Sequence, residues 1–214
     1  MMGRTLSENP HRRNGQPCID QREGLLFSDI RLHLGLILRE KNPHVFRPDL
    51  FDTHIEIDAK TLEALTECQS AIRVRYLSQV PLKDQRHLQF LPHLADAVCE
   101  LSQGKAIFDH VAERLYHRDE FHSELAKNGN AARPDLHLNT VWQMDEGGSW
   151  AESRGLKKLG LREMRTKFVE PDEEVLVTGL ITTAMYRKFR KPETEWPIEV
   201  EEFGTKFTLD SDEI

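Results

Sequence analysis

The densest group of titratable side chains in this sequence is Asp109, His110, His117 and His122, with Asp119 and Glu120 among them. Histidine titrates near neutrality and binds transition metals, so these residues are candidates for acid–base or metal chemistry, or for holding a ligand. Their spacing argues against catalysis. No His-Glu-x-x-His run is present, no nucleophile stands beside them, and His117 and His122, five apart, diverge on a helix. His54, Glu56 and Asp58 form a second set, three ligand-type side chains on alternate positions. Alternate residues on a strand lie about 7 Å apart, and metal sites usually recruit from several elements. A strand with one solvated face gives the same pattern. Arg154 is the third candidate. Its guanidinium offers a rigid donor fork for a carboxylate or phosphate. The alternative is that it ties its own loop together by bonding Glu163 or nearby carbonyls.

These residues need elements to position them. Asp145-Glu-Gly-Gly148 is a turn signal, because glycine reaches positive φ at little steric cost. Residues 136–143 before it alternate with a period of two and predict a strand, and 149–153 predict the returning strand of a hairpin. Ser153 is then placed to cap a single helical turn carrying Leu156 and Leu159, with Gly160 left-handed at its end. Upstream, the run Leu32-His-Leu-Gly-Leu-Ile-Leu38 predicts a largely buried strand from Ile30 to Leu38. A second strand is expected at 52–58, a helix at 59–67 with Leu62, Leu65 and Thr66 on one side, and a strand at 71–77. Arg73 and Arg75 would oppose His54, Glu56 and Asp58 if those two strands pair. Residues 83–103 read as helix interrupted or restarted at Pro92, 106–111 as strand, and 118–126 as helix capped by Asp119. The clearest helix is 171–191, with Pro171 first, Asp172, Glu173 and Glu174 at its positive end, and Arg187, Lys188, Arg190 and Lys191 at its negative end. A last strand or hairpin follows at 198–209. Hairpins mixed with strand–helix–strand units predict an α+β fold, a mostly antiparallel or mixed sheet covered by helices in a single domain. The polar residues 1–22 read as a mobile tail, 23–209 as the domain, and 210–214 as an acidic tail.

Composition narrows the function classes. Of 214 residues, 36 are acidic and 29 basic, a formal net charge of −7. That disfavours a broad nucleic-acid interface, which needs a positive footprint. No run approaches the ~18 apolar residues of a membrane span, and the N-terminus lacks a signal-peptide core. Cys18, Cys68 and Cys99 are an odd set without a Cys-x-x-Cys pair, which suits a reducing cytoplasm.

The stretch Ser153-Arg-Gly-Leu-Lys-Lys-Leu-Gly-Leu-Arg-Glu-Met164 resembles a Thr-Arg-Gly-Leu-x-x-Phe-Gly-Leu-Pro-Glu-Leu signature found in a group of bacterial domains of unknown function. The likeness extends upstream through Gly104, Ala106 to Asp109, Arg114 to Tyr116 and Glu120-Phe121, and covers about Leu32 to Thr208. Ser153, Leu159, Arg162 and Met164 depart from it but keep the cap, the apolar anchors and the exposed loop. The resemblance implies a fold-level relative and no catalytic residues. Phosphate-loop, nucleophile-elbow, dinucleotide and zinc spacings are all missing. The expectation is therefore a non-catalytic interaction or ligand-binding module in the cytoplasm, with no cofactor, nucleic acid or membrane. Its partner is open between a second copy and another protein. The alternative is a hydrolase or metal-dependent enzyme using Asp109, His110, His117 and His122 with Arg154. Convergence of those side chains is its test.

Overall fold

Eight strands and five helices alternate irregularly along the described chain. The structure is a computed structural model that describes residues 30–46, 57–78, 84–127, 129–195, 197–202 and 205–209. In chain order the elements are β1 (Ile30–Leu38), α1 (Ala59–Glu67), β2 (Ser70–Ser78), α2 (Arg86–Leu101), β3 (Ala106–Asp109), β4 (Arg114–His117), α3 (Arg118–Lys127), α4 (Pro134–His137), β5 (Asn139–Asp145), β6 (Gly148–Arg154), α5 (Glu174–Arg190), β7 (Ile198–Glu202) and β8 (Thr205–Leu209). The fold is α+β with antiparallel pairing throughout. Among the described residues the strands divide into four two-stranded ribbons, β1–β2, β3–β4, β5–β6 and β7–β8, where one sheet was expected. None of the described helices is long and apolar enough to cross a membrane.

Among the described residues, two apolar clusters hold the body. The larger gathers Leu88, Leu138, Ala151, Leu156, Met164, Leu180, Ile181, Ala184, Met185, Phe189 and Ile198, so it lies between α5 and the β5–β6 hairpin. The smaller joins Tyr116, Phe121, Leu125, Ala131 and Leu136 around α3. α5 earns its place through its pattern: Leu180, Ile181, Ala184, Met185 and Phe189 recur at helical spacing and are all buried. Its polar threonines close the seam with β5. Trp142 Nε1 donates to Thr178 Oγ1 at 3.2 Å, and Thr140 and Thr182 share a 3.2 Å hydroxyl bond.

Several local expectations are corrected. Leu136 and His137 are not in the strand; they belong to the one-turn α4, because Pro134 at its start presets the helical φ, and β5 begins at Asn139. Ser153 does not cap the turn Leu156–Leu159. Gly155 occupies that position, and the Ser153 hydroxyl is spent on Glu163. Asp119 does not cap α3; the His117 ring Nδ1 accepts the Asp119 N–H at 3.2 Å, while Asp119 reaches Lys60. α1 buries Thr61 and Ala64, whereas Leu62 is 39% exposed. Arg73 and Arg75 face Gly35 and His33, because β2 pairs with β1. Of the strand expected at 52–58, residues 52–56, with His54 and Glu56, lie outside the described residues, while 57 and 58 are not in a strand and Asp58 is the N-cap of α1.

β1 is a strand as predicted, yet it is not largely buried. Its register with β2 puts Leu32, Leu34 and Leu36 opposite Tyr76, Val74 and Ile72, and paired residues share a face. Leu34 is 50%, Leu36 65% and Ile72 40% exposed on that face. The ribbon's ends are held, one where the Tyr76 ring meets His87 of α2 at 5.4 Å and the other where Arg39 donates to the Leu65 carbonyl of α1 at 2.6 Å.

Candidate functional site: a sealed charge cluster and an open apolar face

The crossover after β6 fixes the charged groups. Gly155 has φ 109°, and a Cβ there would stand 2.0 Å from the His137 carbonyl oxygen, so the chain can cross α4 only as glycine. Gly160, at φ 74°, ends the following 3-10 turn in the left-handed conformation, as the sequence predicted. Glu163 then folds back over the turn. Its Oε1 accepts the N–H of Gly155 at 3.0 Å and of Lys157 at 3.1 Å; its Oε2 accepts the Ser153 hydroxyl at 2.7 Å and the Leu156 N–H at 3.3 Å. The Ser153 oxygen in turn accepts the Met164 N–H at 2.7 Å. Ser153, Gly155, Gly160 and Glu163 each have a structural reason to be what they are.

Arg154 does not bond Glu163. It reaches Glu113 at the tip of the β3–β4 hairpin (Nε to Oε1, 2.6 Å), Glu152 on its own strand (Nη1 to Oε2, 2.6 Å) and the Ser153 carbonyl at 3.1 Å. The fork expected for a ligand is thus filled by carboxylates of the same chain. A second tie runs parallel to it. Lys158 Nζ pairs with Asp109, whose other oxygen accepts the N–H groups of Val111 and Ala112 at 3.0 and 3.1 Å. Together these pairs dock the β3–β4 tip on the crossover.

Lys158 also touches His137, the deepest titratable group of the site. His137 Nε2 lies 3.0 Å from the Leu88 carbonyl and 2.9 Å from that of Ala131. Carbonyls only accept, so Nε2 carries the proton and Nδ1 is the lone pair that faces Lys158 Nζ at 3.3 Å. The ring stacks on Phe189 at 5.9 Å. Leu136 belongs to the small core and Leu138 to the large one, so His137 fastens the two together. Burial, with the Lys158 charge adding to it, brings the His137 pKa down from 6.5 to about 4. Burial likewise pulls the Lys158 ammonium below the usual lysine range, and Asp109 offsets part of that. His87, 5% exposed, is held down by burial too, and its Nε2–H donates to the Lys158 carbonyl at 2.9 Å.

The histidines of the sequence set do not join this cluster. His110 is exposed beside Phe108 (ring centroids 5.9 Å apart), His117 turns to Asp119, and His122 pairs with Asp96 of α2 at 3.0 Å. Of that set only Asp109 and Arg154 reach the crossover. Asp58 caps α1, accepting the Thr61 N–H at 3.0 Å and its hydroxyl at 2.6 Å. Among the described residues no three His, Cys, Asp or Glu side chains gather as metal ligands. Sequence reasoning missed Lys158, His137 and Glu113 as participants. Nothing in their spacing marks them, since their meeting depends on how α4, the β3–β4 tip and the crossover stack.

Two of the surfaces formed by the described residues are open to an outside molecule. One is a cleft of about 450 Å³ beside the β3–β4 tip, lined by Glu113, Arg114, Tyr116, Glu120, Arg133 and Asp135 among others. Its arginines are engaged: Arg133 with Glu124 at 2.9 Å and Asp135 at 3.3 Å, Arg114 with the Asp135 carbonyl. The other is the leucine face of the β1–β2 ribbon. Comparison of the chain with protein-family models, with curated proteins and with solved structures finds no match to any of them.

Proposed function

We propose that this chain is a non-catalytic interaction module that binds a protein partner through the leucine face of the β1–β2 ribbon. The observation carrying this reading is the exposure of Leu34, Leu36 and Ile72 on one face whose other members, Leu32, Leu38, Val74 and Tyr76, include no charged side chain. Soluble surfaces seldom leave such a face uncovered unless something binds it. The occupied state of the charged groups points the same way. Arg154, Lys158 and Asp109 already hold partners within the chain, and His110, His117 and His122 are dispersed, so the hydrolase or metal-enzyme reading draws no support from their placement. The 450 Å³ cleft favours small-ligand binding as a second reading. The bacterial signature resemblance and the unpaired cysteine set support a bacterial, cytoplasmic setting.

The test places a photo-crosslinking amino acid at Leu36 in the full chain, with Leu34→Lys/Ile72→Lys as the competitor background. A discrete protein adduct that the substitutions abolish, with thermal unfolding unchanged, is the expected result. No adduct, together with a large loss of stability in the lysine variant, makes the face structural and rules the reading out.

A further inference from the structure

A second apolar surface lies at the opposite kind of place, the tip of the β5–β6 hairpin where α5 begins. Met144 is 81%, Val175 74% and Phe168 59% exposed. The hydrogen bonds along the seam set the first two at the same end of it. Thr140 meets Thr182 and Trp142 meets Thr178, so two residues on β5 match four on α5. Two strand residues advance about 7 Å and four helical residues about 6 Å. The next step pairs Met144 with the first turn of α5, Glu174 and Val175. Phe168 lies on the opposite face of the hairpin, against Gly147 and Gly148, with its ring 5.8 Å from that of Trp150, which pairs with Gln143, and is not part of this patch.

Acidic side chains ring this tip. Asp145 and Glu146 lie in the turn, and Glu170, Asp172, Glu173 and Glu174 precede or open α5. Asp145 accepts the Gly147 N–H at 2.7 Å; the other five enter no ion pair among the described residues. The basic groups nearby are Arg165, which covers the Trp150 ring at 4.2 Å and leans toward Glu152, and Lys167, which has its own interaction. A second copy of the chain would bring one acidic ring against another, and an anionic lipid surface would be repelled. A segment with apolar side chains flanked by Lys and Arg satisfies both parts of the surface, and a flexible methionine adapts to such anchors.

We infer that the hairpin tip around Met144 and Val175 is a docking site for a basic amphipathic segment of another protein. This surface is independent of the leucine ribbon, and either can fail without the other. The experiment uses the full chain and a fluorescent helical peptide of Lys and Leu, followed by anisotropy. The controls are an equally basic Lys/Ser peptide and a Glu/Leu peptide. The expected result is binding that weakens with salt, about tenfold tighter than either control, and weakened about tenfold by Met144→Glu/Val175→Glu. Leu34→Lys/Leu36→Lys leaves it unchanged. Circular dichroism confirms that both variants fold. Equal binding of the Lys/Ser peptide, no loss in the Met144/Val175 variant, an equal loss in the ribbon variant, or dimerisation abolished by Met144→Glu would each overturn the inference.

Discussion

The β5–β6 hairpin has a helix laid across one face; the β1–β2 ribbon has none among the described residues. Both pair over their full length. In the hairpin, Val141 and Ala151 are buried, Trp142 and Thr140 bond to α5, and Glu152 and Arg154 tie the strand to its neighbours. In the ribbon, Leu34 and Leu36 project with half or more of their surface open. Pairing alone therefore does not make a strand part of a core. What differs is the cover, and with it the consequence of changing a residue.

Gly155→Ala breaks the covered side hardest. It puts a Cβ against the His137 carbonyl and a side chain at positive φ, so a loss of about 4 kcal/mol or more, or failure to fold, is expected in urea titration. A loss under about 1 kcal/mol would show that the crossing point yields. Glu163→Ala comes next. It leaves three backbone donors and the Ser153 hydroxyl without their acceptor, and about 3 kcal/mol is expected, with Glu163→Gln losing clearly less. If the two variants melt together, the carboxylate is not what organises the turn.

The third measurement sharpens the contrast through pH. His137 has a folded pKa of about 4 against an ordinary 6.5, so the unfolded chain takes up its proton first as pH falls. Its stabilisation is complete above 6.5 and is lost as pH drops toward 4, a change of about 3 kcal/mol at about 1.4 kcal/mol per unit. His137→Gln should flatten stability between those limits; an unchanged slope would assign it to other groups. The smallest effect belongs to the ribbon. Leu36→Lys is expected to shift unfolding by about 0.5 kcal/mol or less, as at an exposed site. A loss as large as that of Glu163→Ala would erase the distinction between the two regions.

The sequence made legible what short-range physics decides. The turn at Asp145 to Gly148, the left-handed Gly160, α1 and the α5 pattern follow from φ preferences, caps and periodicity. Burial of β1 was not legible, because four leucines on alternate positions look alike whether or not an element covers them. The same holds for Arg154. Its charge was read as demanding a partner, and the partner came from Glu113, forty-one residues away, which no local pattern connects to it. Asp109 was noticed for its histidine neighbours, yet it serves Lys158 and the backbone of its own turn.

The backbone amides of Gly155, Leu156 and Lys157 all aim at one point, and Glu163 fills it. Such convergent amides are the kind of cradle in which many proteins hold phosphate or sulfate. Here the chain supplies the occupant as a covalent guest eight residues downstream of Gly155. The bend therefore sets itself without recruiting any solute, and its shape should be indifferent to the salts around it. Trimming that guest to glycine would turn the bend into a receptor, one that added formate or acetate can repopulate and so recover the lost rigidity.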